Sequence, residues 1–178
     1  MTRYPSFFAF VLLALLVTPA SPKALDLGLT PSHVYSLWVN INNSLITASR
    51  VISGDSNLRT TLIEMKPEKL SGKTPADVLD QLGLFREKLN RLLLAENLPR
   101  VARTASHREK ITPSDVYLNS GYILNAQMKW LIVRTGPEQS ISHFYTRHGF
   151  AGKTPSDVFG LVDLANRRVD KLLAKAGF

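Results

Sequence analysis

The sequence predicts an all-α protein, a four-helix bundle, and three observations carry that prediction. A Thr-Pro-x-x-Val phrase occurs four times, at 30–34, 74–78, 112–116 and 154–158. Apolar residues at helical spacing follow each copy. The four stretches so marked have nearly the same length, as the helices of a bundle should.

Each phrase reads as a helix start. A threonine hydroxyl accepts a bond from an otherwise orphaned backbone N–H, and proline at the first helical position has no N–H to leave unpaired. Asp77, Asp115 and Asp157 stand at the third helical position. There they complete a capping box and place negative charge at the positive end of the helix dipole. His33 holds that position in the first copy. A histidinium there would oppose the dipole, so the departure marks a helix end that meets something different.

The segment before the first copy has its own character. Arg3 precedes an apolar run from Phe7 to Val17, followed by Thr18 and Ala20. The run is shorter than the roughly 20 residues a membrane span needs, and the small residues fit cleavage after Ala20. Residues 1–20 are therefore expected to be a signal peptide and 21–178 a single exported domain, with no transmembrane segment once the signal is removed. The chain has no cysteine. That excludes disulfides, a lipoprotein anchor, c-type haem attachment and thiolate metal sites, and it favours a periplasmic or secreted protein held by packing alone. The net charge is +8, or +7 without Arg3. A basic exported protein is suited to acidic proteins or anionic envelope components, and nucleic acid is not expected to be a partner.

The first helix, from Pro31 to near Ile52, presents Val34, Trp38, Ile41, Leu45 and Ala48 along one face. The second, ending near Glu96, presents Val78, Leu82, Phe85, Leu89 and Leu92. The third, ending near Arg134, has Val116, Ser120, Ile123, Gln127 and Trp130, with two polar interruptions. The fourth, ending near Ala176, presents Val158, Val162, Ala165, Val169 and Leu172. At 1.5 Å per residue each measures roughly 30 Å.

The spacings suggest a duplication. Thr30 and Thr112 are 82 residues apart, and Thr74 and Thr154 are 80 apart. The first and third copies share an aliphatic residue before the cap (Leu29, Ile111), and the second and fourth share Gly-Lys (Gly72-Lys73, Gly152-Lys153). Two tandem helical hairpins of about 80 residues, about 29–98 and 111–178 with a linker at 99–110, are expected to pack up-down-up-down. The connections Gly54–Lys73 and Thr135–Lys153 are long for a bundle, so helical turns are expected within them near Leu58–Met65 and Glu138–Tyr145. The linker carries Arg100, Arg103, Arg108 and Lys110 and reads as exposed and basic.

Two places offer chemistry. Ser120 and Gln127 lie on a buried seam and need partners. They serve either as a layer that fixes helix register or as the polar wall of a small-ligand pocket completed by Tyr35, Trp38 and Trp130. Phe144, Tyr145, Arg147, His148 and Phe150 cluster aromatic and basic side chains in one loop, which serves either as a docking surface or as a cap that buries those rings at the end of the bundle. The stretches Arg86–Arg91 and Arg167–Lys175 read as solvated helix faces. Neither His-Glu-x-x-His nor Glu-x-x-His occurs, no metal or other cofactor site is expected, and no nucleophile motif points to catalysis. The expected function is therefore non-enzymatic binding of a protein partner or an anionic envelope component. A bundle that binds a small ligand or haem is the alternative.

Overall fold

The computed structural model describes residues 27–54, 56–103, 110–136 and 140–177. The expected signal peptide, His107, Arg108 and Glu138 lie outside them. The described residues are all-helical, with five α-helices: α1 (Pro31–Ser53), α2 (Ser56–Glu64), α3 (Pro75–Ala95), α4 (Pro113–Thr135) and α5 (Pro155–Ala176), plus a 3-10 turn at Ser142–Tyr145. The two short elements fall where the long connections were expected to turn.

The caps form as the repeated phrase dictates. In α3, α4 and α5 the aspartate carboxylate accepts the threonine main-chain N–H at 2.7, 2.9 and 2.8 Å. The threonine hydroxyl in return accepts the aspartate N–H at 3.3 Å in all three. In α1, His33 Nδ1 takes the carboxylate's place and accepts the Thr30 N–H at 3.0 Å. These bonds hold the carboxyl of Asp77 below the usual range, chiefly through the Thr74 hydroxyl, and that of Asp157 likewise, chiefly through the Thr154 N–H. Every residue of the four seams is buried, including Ser120 and Gln127.

The expected up-down-up-down order is not what the chain adopts. Pro31, Pro75, Pro113 and Pro155, with the four valines that follow them, surround one apolar dimple, so all four long helices begin at the same end. Ile52, Leu92, Trp130 and Lys175 line a common cavity at the opposite end. The long helices are parallel. Hence 29–98 and 111–178 are not helical hairpins, and each connection returns the full length of the molecule. The seam periodicity fixes which face a helix buries but is indifferent to its direction. Extended chain covers about 3.3 Å per residue, so ten residues suffice to retrace a 30 Å helix.

Helix α1 packs against α4 and α5, and α3 packs against the same two, which puts α1 diagonal to α3. Trp38 and Phe85 meet edge-to-face across that diagonal, with ring centroids 5.4 Å apart. The segments leading into the helices are fastened to the start of a neighbouring one. Leu27 N–H donates to Ser114 Oγ, Lys73 N–H to Ser156 Oγ and Lys153 N–H to Ser32 Oγ, at 3.0–3.1 Å. A buried asparagine recurs farther along. Asn42 of α1 donates to the carbonyls of Trp38 and Leu161, and Asn166 of α5 donates to those of Val162 and Gln81. In each case one acceptor lies four residues back on the same helix and the other lies on the next helix round.

Candidate functional site

The polar seam of α4 is divided between two fates. Ser120 Oγ donates to the Val116 carbonyl at 2.7 Å and accepts Trp38 Nε1–H at 2.9 Å, so both polar groups are satisfied inside the core. Gln127 donates weakly to the Ile41 carbonyl at 3.5 Å, and its Oε1 is buried with no partner among the described residues. The five residues expected to line one pocket are not gathered around one space. Trp38 and Ser120 bond to each other. Tyr35 is half-buried at the margin of the core, its ring 4.9 Å edge-on from Phe150. Trp130 lies at the far end, on the wall of the cavity between the helix C-termini, which measures about 320 Å³.

The aromatic loop also divides. Phe144 is 2% exposed and belongs to the core, against the reading of it as docking surface. Its burial follows from the 3-10 turn, which rests on α1 and turns that ring inward. Tyr145, Arg147 and Phe150 remain exposed, and His148 is partly buried. His148 N–H donates to Ser36 Oγ and its Nε2 lies 2.8 Å from Asn40 Oδ1, while Asn40 donates to the Thr146 carbonyl. Arg147 reaches back to His33 Nε2, so the one cap that lacks aspartate does meet a different neighbour. Partial burial raises the Tyr145 phenol above its ordinary value, and its hydroxyl donates to Asn125 Oδ1 of α4 at 3.3 Å.

Sequence reasoning missed two buried arginines. Arg86 and Arg168 sit in stretches read as solvated, yet they are 8% and 5% exposed. Arg168 Nε donates to the Leu62 carbonyl at 3.0 Å, Nη1 to Asn42 Oδ1 at 3.0 Å and Nη2 to the Met65 carbonyl at 3.3 Å. It thereby satisfies carbonyls at the end of α2, which the helix itself leaves without partners. Burial, and secondarily the neighbouring Arg167 cation, pulls the Arg168 guanidinium down to about 10, which leaves it charged at neutral pH. The legible signal was its flanks: Leu161, Ala165 and Leu172 precede and follow it at helical spacing.

The largest feature that no sequence motif announced is the outer face of α4. Leu118, Tyr122, Asn125, Lys129 and Val133 form one exposed stripe, in which Tyr122 is 59% and Val133 52% exposed. Beside it runs an open groove of about 320 Å³ between α4 and the extended segment Leu98–Ala102. Asn90 of α3 holds that segment by both main-chain groups of Val101: it accepts the N–H at 2.8 Å and donates to the carbonyl at 3.3 Å. Leu93, Leu98, Val101 and Ala126 make the groove's apolar surface, and Arg100, Lys129 and Asn125 supply its polar side chains.

Several carboxylates outside the caps are committed to cations, in the pairs Lys88–Asp170, Arg134–Glu96 and Arg167–Asp163. Among the described residues no three His, Cys, Asp or Glu gather closely enough to hold a metal ion, and no helix is long and apolar enough to cross a membrane. Compared with known proteins, the chain matches no family model, no curated protein and no solved structure.

Proposed function

We propose that this is an exported, non-enzymatic binding protein, a duplicated parallel four-helix bundle that engages an acidic partner across the outer face of α4. The observation that carries the reading is the exposed stripe from Leu118 to Val133, flanked by Tyr145 and Arg100, on a chain whose net charge is +7 without Arg3. Aromatic and arginine side chains dominate interface energetics, and a basic surface steers acidic partners toward it. The duplication is supported by paired details. Lys73 lies over the Phe159 ring and Lys153 over the Tyr35 ring, at 4.5 and 4.6 Å, and each follows a glycine and precedes a capping threonine. Export rests on the apolar run at 7–17, and N-terminal sequencing of the accumulated protein tests it: a first residue other than Ser21 overturns cleavage after Ala20.

The binding reading is tested by retention of proteins from an envelope fraction on the immobilised chain across a salt series. Retention should weaken from 50 to 500 mM NaCl and fall in Tyr122→Glu. Salt-independent retention, or none at low salt, overturns it. Retention of phosphatidylglycerol vesicles alone would reassign the face to a lipid surface.

The cavity at the helix C-termini, with Trp130 on its wall, favours a second reading, a small-ligand protein. No histidine lines that cavity, so a haem ligand would have to come from elsewhere. Haem titration without a Soret shift removes the haem version. Unchanged Trp130 fluorescence in a Trp38→Phe background, on addition of an apolar dye, removes the cavity itself.

A further inference from the structure

We propose that the groove between α4 and Leu98–Ala102 is a recognition site for a short, extended acidic peptide segment carrying an apolar side chain at its middle. The inference rests on the binding reading above and names the chemistry its partner must present.

Three properties of the groove select that ligand. Its floor is apolar, built from Leu93, Leu98, Val101 and Ala126, and Tyr122 stands exposed at its edge. Such a surface takes up an aliphatic or aromatic side chain and strips it of water. Its polar side chains are donors. Arg100 and Lys129 are exposed cations that lack carboxylate partners among the described residues. Asn125 already uses its oxygen to accept from Tyr145, which leaves its amide N–H groups to face a ligand. A guanidinium, an ammonium and an amide around one apolar floor call for carboxylates and main-chain carbonyls on the other side.

Length gives the third. From Tyr122 to Lys129 the wall of α4 rises about 10 Å at 1.5 Å per residue. Extended peptide covers about 3.3 Å per residue, so three residues fill the groove, one seated on the floor and one acidic residue on either side. An acyl chain reaches about half of the 30 Å hydrocarbon core, some 15 Å, and would overrun it. The groove is also held open: Asn90 clasps both main-chain groups of Val101, so its wall does not have to form when a ligand arrives.

A random heptapeptide library displayed on phage, selected on the purified full chain, tests this directly. Enriched peptides should carry Asp or Glu on both sides of an aliphatic or aromatic residue. Resynthesised and measured by fluorescence polarisation, they should bind at least about tenfold more weakly to Arg100→Glu/Lys129→Glu, a loss of about 1.4 kcal/mol. Arg100→Lys/Lys129→Arg should stay within about twofold of the parent, because it keeps both charges. Both positions are exposed, and circular dichroism confirms that the variants are folded. Enrichment of neutral or basic peptides, or affinity unchanged in the charge-reversed variant, overturns the proposal. So does peptide binding that phosphatidylglycerol vesicles match and abolish, which would make the site a lipid surface, or loss of a dimer in the charge-reversed variant, which would make its occupant a second copy. Peptide binding without retention of any envelope protein sinks the broader binding reading and leaves the groove. Retention that survives charge reversal sinks the groove alone.

Discussion

The first and third connections, 54–73 and 136–153, resemble each other, and the middle one, 96–112, resembles neither. The outer two each join helices that lie on a diagonal, α1 to α3 and α4 to α5, so each must climb over a third helix. Along the way they are bolted down. Arg168 and Arg167 of α5 donate to the carbonyls of Leu62, Met65 and Lys66 in the first connection. Asn40 and Ser36 of α1 hold Thr146 and His148 in the third. Both then end in a lysine that sits over a ring and donates its N–H to a serine hydroxyl. The middle connection joins neighbours, α3 and α4, so its path requires no crossing of a third helix. Its described fastening is Asn90 on Val101, and beside it the groove stays open. Where the path demands a crossing, polar groups go into holding the chain. Where it does not, the surface is free to bind.

Breaking the strongest bolt should show the difference most clearly. Arg168→Leu should lower stability by about 3 kcal/mol or more in urea titrations, because it leaves buried carbonyls of Leu62 and Met65 and the Asn42 oxygen without donors. Arg168→Lys should recover little of this, since one ammonium cannot reproduce the fork. A loss under 1 kcal/mol would mean that the first connection is held by packing alone. Gly160→Ala probes the same crossing sterically, since an added Cβ would lie 2.7 Å from the Glu68 carbonyl oxygen. It should cost about 1–3 kcal/mol.

In the middle region, Asn90→Ala should cost about 1–2 kcal/mol and weaken peptide binding at the groove along with it. Stability lost with binding intact would separate the clasp from the site.

The smallest effects concern the capping phrases. The depressed carboxyls of Asp77 and Asp157 contribute stability that is fully present above their unfolded value near 4. That contribution is lost as pH falls through their lower folded values, so melting temperature should decline over that acid window, and less steeply in Asp77→Asn/Asp157→Asn. Ser156→Ala should cost about 1 kcal/mol by orphaning the Lys73 N–H. Ala76→Ser, at the corresponding position of α3, should stay within about 0.5 kcal/mol because that site is exposed.

Much of the fold was legible because it is local. The four caps, the seams and helix ends within one residue follow from the Thr-Pro phrase and from 3.6-residue periodicity. Direction was not legible from either. The one signal that bore on it was the length of 54–73 and 136–153, which read as an anomaly of hairpins but is what a full-length return requires. The candidate site was legible in part. Tyr145, Arg147 and Phe150 stood out as an aromatic and basic cluster, whereas Tyr122 and Lys129 are unremarkable letters within a helix. Only the packing of α4 between two connections places them beside Arg100. Arg168 was missed for the opposite reason, since a charge next to a seam is ordinarily solvated and only the end of α2 and the segment that follows it, laid against α5, cover it.

Parallel packing also bears on how the chain reaches this state. The partners that meet across the helices stand far apart in sequence, 82 residues for Trp38 with Ser120 and for Lys88 with Asp170. Only α3 and α4 are both consecutive long helices and neighbours, so they are the natural first pair, and the remaining contacts must wait for long loops to close. Such a topology folds more slowly than an antiparallel bundle of equal size. It also leaves a half-length chain without a core of its own, because α1 and α3 face each other only across the diagonal. A half could complete itself only by pairing with another.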